Sequence, residues 1–291
     1  MSDFLQLIIS GTATGAIYAL AALGFTLLWQ ASGTINFAQG EFVMVPAIVT
    51  LLAMSYGLPL WLAFLLACAA SMLLLGFGFK RAVVDPLIRH GTIPLVIATL
   101  GLSIGVKNLV KASYSTEAHP FPNIFPATLF SVGDLKVSAY DIGTLLLAGA
   151  IVFGLQAFLN RTVTGRAMQA VAQNTEAATV LGIDVRRMVL YVFLINALLA
   201  AVAALLVTPT YLAKFDMGDT IGLKAFYAAI IGGFNQTRGA LLGGVLVGIL
   251  ENLMGSYVSP AYKEGVALML FLVVILFRPE GLLGKAEERK V

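Results

Sequence analysis

Charge is what this chain has least of. Charged residues are 11% of its 291 positions, where a water-soluble domain carries roughly 25%. With 59% hydrophobic residues and a mean hydropathy of +0.92, that deficit excludes a soluble globular protein. Cysteine is nearly absent. Cys68 stands alone inside an apolar run, which excludes an internal disulfide and a cysteine metal cluster. Histidine is equally scarce, at two residues, and no His-Glu-x-x-His pattern occurs. No Gly-x-x-x-x-Gly-Lys-Ser/Thr loop occurs either, so the chain is not expected to bind and hydrolyse nucleotide itself. A net charge of +3 is too small to suggest a nucleic-acid partner. MSDFLQL carries no basic n-region, so the first apolar run is expected to stay in the mature protein.

What is there is apolar length. The runs are continuous rather than alternating, which predicts an all-α, polytopic helical membrane protein and not a β-barrel. A span needs about 20 apolar residues. Runs cover residues 5–29, 37–56, 60–79, 93–110, 140–159, 188–212, 221–234, 239–257 and 266–277. The run at 221–234 is short for a crossing, so eight to nine membrane segments are expected in a single transmembrane domain, 1–291. A polar, Pro-rich loop occupies 111–138 and a longer polar interval 160–187. If 160–187 is cytoplasmic and nine segments cross, all nine Arg and Lys80, Lys285 and Lys290 lie on the cytoplasmic side. Six Lys remain outside or at membrane ends. That bias predicts an outer N-terminus and a cytoplasmic C-terminus.

The interval 160–187, NRTVTGRAMQAVAQNTEAATVLGIDVRR, reads as two short helices. Residues 166–172 are Ala-rich and helix-favouring. Asn174 can cap a second helix with Glu176 in its first turn, and Gly182 sits where a C-terminal cap belongs. A connection between two spans needs no ordered helices. The loop either docks on a soluble partner or lies on the lipid headgroups as an amphipathic helix.

Polar groups within the apolar runs are the other candidates. Residues 32–41, SGTINFAQGE, gather Ser32, Thr34, Asn36, Gln39 and Glu41 between runs one and two. They form either unwound backbone lining a cavity or a turn ahead of a helix. Glu251 sits inside an apolar run, where an ionisable group is a functional hypothesis by default. The competing readings are a structural pair with Lys224 and a side chain snorkelling to the membrane end. Gly101–Gly105, GLSIG, matches a hydrolase nucleophile pattern, but it lies inside an apolar helix and the two His fall in loops, so a hydrolase is not expected. Gly11/Gly15, Gly101/Gly105, Gly239/Gly243 and Gly244/Gly248 have the four-residue spacing that lets helices approach closely, either within one subunit or between subunits.

Several stretches carry a family resemblance. TGAIYALAALGFTLLW followed by INFAQGEF, NTEAATVLGIDVRR, GLKAFYAAIIGGF with GALLGGVLVGILENL, and SYVSPAYKEGV with RPEGLLGK are collinear over essentially the whole chain. They resemble the branched-chain amino acid permeases of ATP-binding-cassette (ABC) importers, and the shorter, high-affinity permease most. The resemblance implies a type II-like importer permease without enzymatic activity or a cofactor of its own, in the bacterial inner membrane. It implies a second related permease, two ABC ATPases that bind ATP and Mg, and a periplasmic solute-binding protein as partners. Arg166, Ala170, Asn174, Glu176, Leu181 and Gly182 would couple to the ATPases. Asn36, Gln39, Glu41, Lys224 and Glu251 would belong to the substrate pathway. The loops at 119–126 and 214–220 would meet the binding protein. Two departures stand out: Gln39 occupies a position where the family commonly has His, and residues 234–238 replace a Gly-Ser-rich turn. The alternative class, an ion-coupled secondary transporter, would call for more ionisable groups at the membrane midplane than this chain offers.

Overall fold

The computed structural model describes residues 2–33, 35–126, 128–132 and 135–284. Thr34 of the polar cluster and the tail charges Lys285, Arg289 and Lys290 lie outside the described residues. The chain is helical nearly throughout, because in a bilayer only intra-segment hydrogen bonds can satisfy the backbone. In order, the helices are α1 (Ser2–Ser32), α2 (Gln39–Ser55), α3 (Leu60–Leu87), α4 (Thr92–Ser113), α5 (Ala139–Arg161), α6 (Val163–Gln173), α7 (Thr175–Val180), α8 (Val185–Tyr211), α9 (Met217–Gly232), α10 (Thr237–Tyr257) and α11 (Pro260–Phe277).

Among the described residues, seven helices are long and apolar enough to cross a membrane: α1, α3, α4, α5, α8, α10 and α11. Helix α2 is apolar but 17 residues long. Helix α9 has 16 residues and carries Asp219 and Lys224, which matches the short seventh run of the sequence. The eight to nine crossings expected from hydropathy therefore exceed the helices that meet the length for crossing. An antiparallel hairpin, β1 (Leu129–Val132) with β2 (Leu135–Ser138), stands in the 111–138 loop and adds a small sheet to the expected all-α fold.

The chain forms two compact units. One comprises Met1–Thr26, Phe125–Gly149 and Lys224–Val291, as far as these are described. Here the small-residue spacings do their packing. A Cβ on Gly15 would meet the backbone of Gly244 and Val245. One on Gly248 would meet Gly15 and Gly11. The two glycine pairs thus interlock α1 and α10 backbone to backbone. Gly239 and Gly243 approach Gly232 and Ala228 of α9 in the same way. The turn after α9 is closed by the C-terminal stretch, with Leu282 N–H donating to the Ile231 carbonyl at 2.8 Å and Leu283 N–H to that of Gly232 at 3.0 Å. Phe234 of the departing turn packs on Phe25 and Phe226, with centroids 6.5 and 6.1 Å away.

The second unit comprises Leu27–Ile124 and Ala150–Leu223. Its core joins α2, α3 and α8 through three rings: Phe42 to Phe79 and Phe79 to Phe193, each 5.9 Å apart and edge-on, a geometry favoured by the ring quadrupoles. Helix α3 is π-helical over Met72–Gly78 and again over Lys80–Val84. Gly76 in that stretch lets α3 approach Phe193 and Leu194 of α8. On α2, a Cβ at Gly40 would strike the backbone of Gly218. In contrast, Gly101 and Gly105 of α4 face open space.

Candidate functional site

The polar cluster after α1 is a short non-helical connection between two helices, with Asn36 and Ala38 buried in it. Helix α1 ends at Ser32, Gly33 takes φ +63°, and α2 starts at Gln39. Asn36, Gln39 and Glu41 are all buried, so each must find partners or remain costly. The Asn36 carboxamide oxygen accepts from the Ala38 N–H at 3.1 Å, the local Asx geometry that sets the turn ahead of α2. Its Nδ2 has no hydrogen-bond partner among the described residues. Gln39 and Asn196 of α8 bond reciprocally: Gln39 Nε2 donates to Asn196 Oδ1 at 2.7 Å, and Asn196 Nδ2 donates to Gln39 Oε1 at 2.9 Å. Both are fully buried. The pairing uses an amide donor and an amide acceptor side by side on each partner, whereas a neutral His at position 39 would carry its one donor and one acceptor on divergent ring nitrogens.

Glu41, in the first turn of α2, accepts from Ser103 Oγ at 2.8 Å. Ser103 is the serine of GLSIG, and its hydroxyl is committed as a donor to a carboxylate inside two helices. His119 is held elsewhere, in a two-residue bridge with Ala213 of 2.8 and 2.9 Å. Among the described residues, no nucleophile–histidine pair is assembled around GLSIG. The same bridge brings together the two loops that the resemblance assigned to one external partner.

In the other unit, α1, α9 and α10 place Tyr18, Lys224 and Glu251 together. Lys224 Nζ lies 2.6 Å from Glu251 Oε1, and the two side chains are 4% and 0% exposed. The ammonium also donates to the Tyr18 hydroxyl at 3.3 Å and stands 5.4 Å from the Tyr18 ring centroid. A buried charge without a partner would be prohibitive, and a pair with a third polar group offsets much of that cost. Glu251 does not snorkel: it is sealed from solvent and faces Lys224. Its second oxygen, Oε2, has no hydrogen-bond partner among the described residues, so the carboxylate keeps one unsatisfied acceptor.

The polar interval forms the two expected helices. Thr162 caps α6, its hydroxyl accepting from Gly165 N–H at 2.9 Å. A Cβ at Gly165 would meet Phe158 and Leu159, so α6 folds directly against the end of α5. Asn174 caps α7, its side chain accepting from Ala177 N–H at 2.9 Å, with Glu176 in the first turn. Gly182 takes φ +78°. Its N–H donates to Thr179 and that of Ile183 to Ala178, each at 3.0 Å, which satisfies the last carbonyls as a left-handed cap should. Gly165, Met168, Val171 and Ala178 are buried. Arg166, Asn174, Glu176, Leu181 and Gly182 are exposed and Ala170 is half-buried. Val180 and Leu181 expose apolar side chains at 87% and 78%.

Three partners escaped the sequence reading. Asn196 had a signal, a lone carboxamide in an otherwise apolar run. Ser103 was set aside with its motif, and Tyr18 offered nothing to separate it from other membrane tyrosines.

A chain built this way is a multi-pass α-helical membrane protein that holds buried polar pairs between its helices and presents a capped polar loop. The family described as branched-chain amino acid transport system, permease component, matches residues 7–275, and the chain belongs to that family. It is 34% identical over 301 aligned positions to the high-affinity branched-chain amino acid transport system permease protein BraD of Pseudomonas aeruginosa, covering 99% of this chain and 98% of that one. It is 30% identical to the corresponding permease LivH of Escherichia coli, with the same coverage. Among solved structures, a chain of PsaBC from Streptococcus pneumoniae, in complex with Fab, shares the fold at a TM-score of 0.50 and 16% identity, covering 95% of this chain and 92% of that chain.

Proposed function

We propose that this chain is the permease subunit of an ABC importer in the bacterial inner membrane, carrying a small polar solute inward, first of all branched-chain or related amino acids. The observation that carries the reading is full-length similarity, at 34% identity over 99% of the chain, to a permease of that transport class. The chain contributes the path and has no catalytic chemistry or cofactor of its own. ATP and Mg belong to two partner ATPases. A second related permease completes the pore, and a periplasmic binding protein delivers the solute. The excess of Arg at one set of loops supports a cytoplasmic polar interval, an outer N-terminus and a cytoplasmic C-terminus.

The local chemistry fits a loop that receives force. Helices α6 and α7 are capped at their starts by side chains and locked to α5 at Gly165, so a push on Glu176 or Leu181 moves a rigid piece. Closure of the ATPases around ATP would displace that piece and, through α5 and α8, switch which face the pathway opens to. Asn36, Gln39 and Glu41 in one unit and Lys224 and Glu251 in the other would supply the polar groups of the path.

Purification of the tagged chain from its native membranes in mild detergent tests the assembly. Two nucleotide-binding subunits and a second permease should co-purify. A lone chain that transports with an ion gradient and no ATP would refute it.

A further inference from the structure

At one end of α3 and α8, six charged side chains ring a pocket of about 220 Å³. Lys80, Arg81 and Asp85 come from α3, Asp184 from the turn before α8, and Arg186 and Arg187 from its first turn. Four cations face two carboxylates. Part of this charge is spent internally: the Lys80 ammonium is 5% exposed, pairs with Asp85 at 2.9 Å and donates to the Arg186 carbonyl at 3.3 Å. The arginines remain open. Arg186 reaches Asp85 at 3.3 Å but is 66% exposed, and Arg187 holds Asp184 at 2.9 Å yet is 74% exposed. Arg81 is exposed and has no ion pair among the described residues. The start of the 27-residue α8 is already capped by Asp184, whose carboxylate accepts from the Arg187 N–H at 3.0 Å, so the pocket's positive excess rests on the side chains.

A second, apolar groove of about 290 Å³ lies further along the same two helices, lined by Met72 of α3 and by Tyr191, Leu194, Ile195 and Leu198 of α8, with Phe158. Arg187, Tyr191, Leu194, Ile195 and Leu198 fall at i, i+4, i+7, i+8 and i+11, so they share one face of α8. From Arg187 to Leu198 the helix rises about 16 Å, about half of a hydrocarbon core of roughly 30 Å. Phe77, which lines the charged pocket, and Leu73 and Leu74 before it are 45%, 63% and 58% exposed, as a lipid-facing surface requires.

We propose that the pocket and groove together hold one anionic phospholipid, its phosphate on Arg81, Arg186 and Arg187 and an acyl chain along the groove. Basic pockets at the membrane boundary bind such headgroups through the same charges. A free phosphate would match the cations and leave the groove uncovered. A zwitterionic lipid would fill the groove without answering the two-charge excess.

The test uses the full chain with its co-purifying subunits, delipidated in mild detergent. Thermal unfolding is followed after adding phosphatidylglycerol, phosphatidylcholine or inorganic phosphate, and lipid retention is read by native mass spectrometry. Phosphatidylglycerol should raise the melting temperature and stay bound, and the other two should do neither. The Arg81→Ala/Arg187→Ala variant should weaken retention about 30-fold, and Arg81→Lys/Arg187→Lys should keep most of it. Leu198→Trp, which fills the groove and leaves the arginines intact, should also release the lipid, and it carries the test if the double alanine variant does not fold. Equal protection by phosphatidylcholine, equal protection by inorganic phosphate alone, or undiminished retention of phosphatidylglycerol by both the double alanine variant and Leu198→Trp overturns the proposal.

Discussion

Lys224 and Glu251 meet at 2.6 Å with almost no solvent contact, joining α9 to α10 in the middle of an apolar packing layer. The ammonium shares itself with Tyr18, while one carboxylate oxygen stays unpaired. Structural and functional roles make different demands on such a pair, and substitution separates them. Glu251→Ala or Lys224→Ala alone should cost about 3–5 kcal/mol of stability, because each leaves a buried charge behind. The Lys224→Met/Glu251→Leu double change should recover most of that. If the pair serves the pathway, the double variant will assemble with the ATPases and still transport poorly. Melting temperature and uptake measured on the same preparations decide, and full uptake by the double variant would make the pair purely structural.

The reciprocal amide pair gives a second prediction. Gln39→Leu strips Asn196 of both reciprocal amide bonds and should destabilise by about 1–3 kcal/mol. Gln39→Leu/Asn196→Leu should be milder than either single change, a non-additivity readable in a double-mutant cycle of thermal stability.

Gly248 and Gly101 look alike in sequence, each half of a four-residue glycine pair. Gly248→Val places side-chain atoms against Gly15 and Gly11 backbone, where overpacking costs about 1–3 kcal/mol or more. Folded protein should be lost. Gly101→Ala meets nothing within 4 Å and should express and unfold as the parent does. Detergent-extracted yield and melting temperature compare the two, and equal tolerance would break the packing account.

The sequence predicted both helices of the interval and the caps of the second, because Asn174 and Gly182 are residue types whose backbone chemistry is local, and it missed the Thr162 cap of the first. It also predicted the short run that became α9. It could not place Asn196 opposite Gln39 or Ser103 opposite Glu41: those contacts join residues 157 and 62 positions apart, and periodicity carries no information on which faces meet. The hairpin at 129–138 was likewise hidden, since it arises within a Pro-rich loop where pairing register, not hydropathy, decides. Four glycine pairs shared one spacing, and only tertiary contact separated the three that pack from the one that faces outward.

The exposed face of α6 and α7 carries the coupling prediction. Leu181 is 78% exposed and Glu176 stands free of the buried side of α7, so neither change should disturb the fold. Leu181→Asp and Glu176→Lys should each lower transport by about tenfold or more, the loss of one anchoring contact of about 1.4 kcal/mol or greater, at normal membrane insertion. Unimpaired uptake in both would remove the coupling assignment. Asn174→Ala, which deletes only the cap, should cost about 1 kcal/mol locally and weaken transport less than Leu181→Asp.

The central claim is transport driven by ATP on partner subunits. Its most direct test reconstitutes the purified complex in liposomes with its solute-binding protein and follows uptake of labelled leucine, isoleucine and valine. Accumulation that requires ATP hydrolysis, and that ceases with Leu181→Asp in this chain, is the predicted result. Uptake by this chain alone, powered by an ion gradient and indifferent to ATP, would contradict it.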